Sequence, residues 1–263
     1  MEAIIKFRNR SDDSMFGITL KSVNKDIPGW VKAKKFIQQN NINITYGYDG
    51  TGDLYNHLNI RSLKTVCSEK IDFITGDGGF DFSKDFNTQE EQSYRIIFCE
   101  IISALYLLEK NGTFICKIFD IHSEITLKFI YILYSHFENV YITKPYTSRP
   151  ANSEKYIVCK YFKGVDSSFL DMLFVYIEKW DSMKTNILSF IDIPTNFCHQ
   201  VNFFNNLITI TQIKNIEYTI SLINSFEKHT KTKIIEKQIE NAKEWCDKYC
   251  VRQNKNSKFL IIN

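Results

Sequence analysis

Lys117 sits in Phe114-Ile115-Cys116-Lys117-Ile118-Phe119, a single cation in an otherwise apolar run. An ammonium taken out of water loses several kcal/mol unless it is paired. The residue therefore either snorkels out at the end of its segment, as long cationic stems do, or stands beside acids in a cleft. Two acids are candidates: Asp77 in Gly76-Asp77-Gly78-Gly79, and Glu154 at the head of the segment running to Phe162. A lysine tuned by burial and neighbouring carboxylates can take a proton from an alcohol. Taken singly, each acid has a plainer reading. Asp-Gly is common turn chemistry, and Glu154 would pass for a solvated edge residue. Glycines after a strand permit both a sharp turn and close approach of a ligand to backbone. Gly50-Thr51-Gly52-Asp53 is open in the same way, either a loop or a flexible wall with an acceptor for an amino group.

The elements must bring these side chains to one edge. From Phe16 onward short β-rich runs alternate with longer helical patterns, which predicts an α/β domain with a mostly parallel sheet. Strands are expected at residues 15–20, 43–46, 70–75, 112–119, 139–143 and 154–162, and helices at 30–39, 55–68, 88–109 and 123–137. The last two strands lie too close for a helical crossover, so they must form an antiparallel hairpin at the sheet edge. Ligands of open α/β sheets sit outside the carboxyl ends of the parallel strands, and an antiparallel strand begins at that same edge. Asp77, Lys117 and Glu154 are therefore expected to converge there. Beyond Gly164 the patterns at 167–180, 196–226 and 234–249 are helical, an extension packed on the sheet domain or covering one end of it. The expected division is residues 1–164 and 165–263.

Composition narrows the classes. The chain has 263 residues, 44% hydrophobic and 24% charged, which excludes wholesale disorder and a disulfide-stapled scaffold. The longest apolar run, residues 129–134, is far short of the roughly 20 a spanning helix requires, so no membrane partner is expected. Seven scattered cysteines, an odd number, read as reduced and buried thiols. Cys246 and Cys250 would share a helix face, but no second pair completes a tetrahedral metal site. A net charge of +3 decides little about nucleic acid. Basic clusters at 228–237 and 252–258 have a solvated helix face or tail as their plain reading.

Three blocks carry a resemblance: residues 71–82 (IDFITGDGGFDF), 112–120 (GTFICKIFD) and 144–159 (KPYTSRPANSEKYIVC). They closely resemble FtsJ-like ribose 2'-O-methyltransferases, particularly the eukaryotic and viral branch that makes cap 1 on mRNA. Residues 16–22 (FGITLKS) and 46–54 (YGYDGTGDL) look like that branch too, in the same order. The resemblance implies a Rossmann-like S-adenosylmethionine-dependent α/β fold, and a Lys-Asp-Lys-Glu tetrad on whose last three positions Asp77, Lys117 and Glu154 fall. In such enzymes Lys117 acts on the ribose 2'-OH as it attacks the sulfonium methyl, Asp77 orients the lysine and the donor, and Glu154 holds the ribose. No metal is required, because the sulfonium is already an activated leaving group. Asp53 and Leu54 would line the adenine end of the cofactor. Asn87, Thr88, Gln89 and Asn152 would contact capped RNA. Arg149 would meet phosphate as a bidentate donor, or anchor its loop by an ion pair.

One feature departs from the family pattern. Residues 1–7 resemble the helix that follows the family's glycine-rich cofactor loop, so the first strand, that loop and the first tetrad lysine are expected to be missing. The absent strand would be central, leaving unpaired edges or forcing the 15–20 and 70–75 strands together. The rivals are an rRNA or tRNA ribose methyltransferase and a non-catalytic RNA-binding remnant. Abundant Ile, Asn and Lys suit an AT-rich genome, a large cytoplasmic DNA virus or a protist, with location in cytoplasm, viral factory or nucleus. The chain is expected to bind S-adenosylmethionine weakly or not at all unless the preceding segment is supplied. Titration calorimetry checks this, and micromolar binding by the 263-residue chain would refute it.

Overall fold

Side-chain caps set where the helices begin. Asn56 accepts the Leu58 N–H at the head of α3 (His57–Val66), and Ser123 accepts the Thr126 N–H at the head of α5 (Glu124–His136). Asp166 accepts the N–H groups of Ser168 and Phe169 to open α6 (Ser167–Glu178). In the computed structural model the described residues are all but 1, 11, 22–29, 68–70, 80–84, 86, 184–186, 225–227, 255 and 258–263. The remaining elements are α1 (Glu2–Arg8), β1 (Met15–Ile18), a 3-10 turn (Trp30–Ala33) running into α2 (Lys34–Gln39), β2 (Ile42–Thr45), β3 (Ile71–Gly76), α4 (Gln89–Leu107), β4 (Leu108–Ile118), β5 (Phe137–Thr143), β6 (Lys155–Phe162), α7 (Trp180–Met183), α8 (Thr195–Asn224) and α9 (Lys228–Lys248).

The strands form two sheets. β1 pairs in parallel with β2 alone, and the second sheet has the order β3-β4-β6-β5. β3 runs parallel to β4, while β6 runs antiparallel to both β4 and β5. The hairpin thus closes the sheet edge as expected, with β6 inside and β5 outermost. β1 and β3 are not forced together. Among the described residues no strand pairs with β3 on the side away from β4, so that edge stays open.

Two of the boundaries that differ from expectation have a clear cause in packing. The helix before β4 ends at Leu107, and the strand starts at Leu108 instead of after Asn111-Gly112. Asn111, at φ +69°, sits where the register jumps from Ile71 opposite Leu108 to Phe73 opposite Thr113, so the Asn-Gly pair makes a bulge inside the strand. Burial of Leu108 draws the chain into the sheet early. Phe137 likewise starts β5 two residues ahead of expectation, because it is buried and packs on Phe162 of β6. Cys250 lies past the end of α9 at φ +53°, so it does not continue the helix face that carries Cys246.

The core lies on one face of the larger sheet. Phe114, Cys116 and Ile118 of β4 and Ile157 and Cys159 of β6 are buried, with α4 and α5 over them. Phe98 is stacked between Phe129 and Trp180. Leu173, Phe174 and Ile177 of α6 belong to that same core. One acid ties two helices to the site edge. The Glu90 carboxylate of α4 accepts the N–H groups of His122 (3.1 Å) and Ser123 (3.0 Å) and the hydroxyls of Ser123 (2.8 Å) and Thr126 (2.6 Å). It sits at the positive end of α5. Glu90→Ala is expected to lower stability by about 1–3 kcal/mol, since several donors lose their acceptor together; a urea titration measures it.

Candidate active site

Register alone brings the lysine to its acid. Gly76 pairs with Cys116 in the parallel ladder, so Asp77, the first residue past β3, comes beside Lys117, which is still in β4. Lys117 Nζ lies 2.6 Å from Asp77 Oδ1 and donates to the Asp77 carbonyl at 3.3 Å. The lysine side chain is only 14% exposed, whereas the Asp77 side chain is 73% exposed. Lys117 therefore does not snorkel; it is met by a carboxylate that still faces solvent.

Across the antiparallel ladder Lys117 faces Tyr156. Glu154 lies two residues before Tyr156, on the same side by the two-residue period of an extended chain. The Tyr156 hydroxyl donates to Glu154 Oε1 at 3.3 Å. No hydrogen bond or ion pair among the described residues joins Glu154 to Lys117 directly. Tyr156 lies between them, opposite Lys117 in the ladder and bonded to Glu154. Burial pushes the Tyr156 phenol up to about 12, with the negative charges of Glu154 and Asp77 adding to it. Sequence reasoning did not single out Tyr156.

The loop that presents Glu154 is fastened by two other lysines that were also missed. Lys144 Nζ donates to the Asn152 side-chain oxygen (2.8 Å), the Asn152 carbonyl (2.9 Å) and the Glu154 carbonyl (2.8 Å). Lys155 is fully buried, donates to the carbonyls of Ser153 (3.0 Å) and Phe119 (3.3 Å), and pairs with Asp120 at 3.5 Å. Burial pushes both ammonium groups down from the usual lysine range. The Gln89 side-chain oxygen accepts the Ser153 hydroxyl at 2.7 Å, so the head of α4 and the 144–153 loop move together.

Of the residues expected to meet RNA, Asn87 and Arg149 are exposed, and Arg149 makes no ion pair among the described residues. The Thr88 hydroxyl donates to the Asp85 carbonyl and accepts from Gln92. Asn152 and Gln89 use their side-chain oxygens within the protein.

The loop after β2 is a firm wall, not a flexible one. Asp49 accepts from the Thr51 N–H and hydroxyl and from Asn56, bonds that hold its carboxyl well below the usual range. The buried Asn59 side chain accepts the Asp49 N–H at 3.0 Å and donates to the Asp53 carbonyl at 2.8 Å. Gly52, at φ +71°, has the Thr19 carbonyl where a Cβ would stand, so no other residue fits. Asp53 accepts the Tyr55 N–H at 2.8 Å, and Leu54 packs against the core. Asp53 and Leu54 lie in the loop that follows β2, and Asp77 directly follows β3, a strand of the other sheet. Among the described residues no cluster of His, Cys, Asp or Glu forms a metal site, and no helix is long and apolar enough to cross a membrane.

A buried acid lies under the Asp77 loop. Glu100 of α4 accepts the Gly78 N–H at 2.6 Å and the Cys116 thiol at 3.5 Å. It is the one charge in the apolar run from Ile96 to Leu108, the same signal that drew attention to Lys117. Burial pushes its carboxyl up to about 7 from an ordinary value near 4.5, against the hydrogen bonds and Lys117, which favour ionisation. Between those two values the folded chain holds a proton that the unfolded chain has released, so stability falls as pH rises from 4.5 to 7. The drop is about 3 kcal/mol, since each tenfold change in proton affinity corresponds to roughly 1.4 kcal/mol. Glu100→Gln is expected to flatten that slope in thermal melts taken from pH 4.5 to 8.

An α/β sheet with a lysine and acids gathered at its carboxyl rim defines an enzyme domain of Rossmann-like type. The chain belongs to the FtsJ-like methyltransferase family, whose pattern matches residues 8–162. It is 33% identical over 192 residues to the cap-specific mRNA (nucleoside-2'-O-)-methyltransferase 1 of Dictyostelium discoideum, covering 70% of this chain and 25% of that protein. It is 38% identical over 144 residues to the human protein of the same name, covering 52% and 17%. With the cattle protein it shares 40% over 126 residues, 46% and 15% of the two lengths. The chain thus spans a quarter or less of the length of these relatives.

Proposed function

We propose that this chain takes part in transferring a methyl group from S-adenosylmethionine to a ribose 2'-hydroxyl of capped mRNA, forming cap 1. The observation that carries the reading is the Lys117–Asp77 pair at the rim of the sheet, with Tyr156 and Glu154 beside it. The names of the relatives support the capped substrate. In this reading residues 1–164 are the methyltransferase domain and 165–263 an extension of it, and the chain works where mRNA is capped, in nucleus or cytoplasm.

S-adenosylmethionine supplies a methyl already activated on a sulfonium, so the protein's task is to ready a weak nucleophile and hold it in line. Lys117 would take the 2'-hydroxyl proton as the hydroxyl oxygen accepts the methyl group. Asp77 fixes the amine by its 2.6 Å contact and keeps a solvent-facing carboxylate for the donor side. Glu154, held by Tyr156 and by the fastened 144–153 loop, accepts from the ribose. Asp53 and Leu54 line the adenine end. Asn87, Thr88, Gln89, Arg149 and Asn152 surround the entrance used by RNA, where the exposed Arg149 offers a paired donor to phosphate.

Lys117→Arg keeps the charge and cannot give up its proton, so it is expected to lose at least about 100-fold in methyl transfer. Asp77→Asn should weaken it comparably. The assay follows labelled methyl from S-adenosylmethionine into capped and uncapped versions of one RNA. Transfer to uncapped ribosomal or transfer RNA alone would replace the cap reading. RNA binding without any transfer, at saturating cofactor, would leave only a binding module.

A further inference from the structure

The glycines around Asp77 are not there for turning. Neither Gly76 nor Gly78 has a positive φ. A Cβ at Gly76 would stand 2.7 Å from the Glu100 carboxyl carbon, and one at Gly78 would stand 2.9 Å from Glu100 Oε1 and 2.5 Å from Ile96. Both contacts are closer than real Cβ atoms adopt, so the two glycines form a cradle in which the Glu100 carboxyl lies. From that cradle Glu100 takes the Gly78 N–H at 2.6 Å, one residue past Asp77. Its second oxygen takes the Cys116 thiol, one residue before Lys117. The two halves of the reactive pair are thus held from below by the two oxygens of one buried side chain.

We propose that Glu100 is a positioning acid, whose carboxylate fixes the Gly76–Gly79 loop so that Asp77 meets Lys117. The inference rests on reading Lys117 and Asp77 as the working pair. Around Glu100 stand Asp77 after β3, Cys116 and Lys117 on β4, Tyr55 before α3 and Cys99 on its own helix, with Arg95 and Asp53 acting on Tyr55 and Cys99. A hydrogen bond to an ionised acceptor is about twice as strong as one to a neutral one. When Glu100 takes up a proton, the Gly78 bond weakens and the attraction on Lys117 is lost, so the loop loosens. Because burial places this event near neutral pH, the pair is set above it and relaxed below it.

Amide spectra of the 15N-labelled chain, recorded from pH 5 to 9, test this without any substrate. The Gly78 amide is expected to shift with one midpoint near pH 7 in the wild type and to lose that step in Glu100→Gln, an isosteric change that keeps the fold. In the methyl-transfer assay, kcat above pH 7 should drop in the same variant, because a neutral side chain at 100 leaves the loop loose at every pH, while KM for RNA stays within twofold. A Gly78 amide that does not titrate, or that titrates alike in the variant, overturns the inference. Wild-type protein that shows the Gly78 step but transfers no methyl would sink the proposed function and leave the linkage standing.

Discussion

One ammonium on a half-buried strand organises this site. Position 117 faces the same side of β4 as Thr113 and Ile115, where an aliphatic residue would suit the fold as well. With Asp77 largely exposed, the ion pair is worth on the order of 1 kcal/mol or less to stability. An uncompensated ammonium would cost several times that. The carboxylate at 77 therefore offsets a loss more than it adds a gain, and what the pair contributes is chemistry: an amine with fixed direction and one solvent-facing neighbour. Parallel register makes this arrangement simple, since β3 ends opposite Cys116 and its next residue, Asp77, comes beside the next residue of β4, Lys117.

The same logic recurs around Glu154. A carboxylate at the start of a strand is free to swing unless the chain before it is held. Lys144 and Lys155 hold it by donating hydrogen bonds to backbone carbonyls, with Asp120 as the counter-charge of the buried one. Two further lysines thereby set where Glu154 stands. Glu100 shows the opposing side of this arrangement: ionising it costs the folded chain stability, yet the ionised form grips the Asp77 loop harder. Sites held by buried charges commonly trade stability for geometry in this way.

Much of this was legible in residue order. Lys117, Asp77 and Glu154 could be placed at one edge because strand ends and the impossibility of a helical crossover between β5 and β6 follow from spacing. The resemblance supplied roles that spacing could not. What was hidden depends on three-dimensional packing. Gly76 and Gly78 look like turn glycines in a sequence, and only the Glu100 side chain, 22 residues away along the chain from Gly78, shows that they make room. Tyr156 was hidden because an aromatic in a strand usually packs; its hydroxyl matters through register with Lys117. The Asp49–Asn59 network makes a firm wall of a loop that reads as flexible, since short polar side chains reveal their partners only once folded. The Asn111-Gly112 pair reads as a helix stop, and tertiary burial of Leu108 made it a strand bulge instead.

The helical extension reaches the site rather than merely trailing from it. Asn205 of α8, 3% exposed, donates to the Ile121 carbonyl at 3.1 Å, just past the end of β4 and next to the Asp120 that balances Lys155. Further along α8, Gln212 reaches the Ala151 carbonyl at 3.5 Å, and Tyr146 reaches Glu244 of α9 at the same distance. All three contacts fall on segments that carry Glu154 or its supports. Each is worth little alone, but a loop that closes over a long connection is ordered by whatever touches it at several points. The stiffness of the 144–153 loop, and with it the placing of Glu154, therefore depends on residues beyond 164 as well as on the sheet that precedes them.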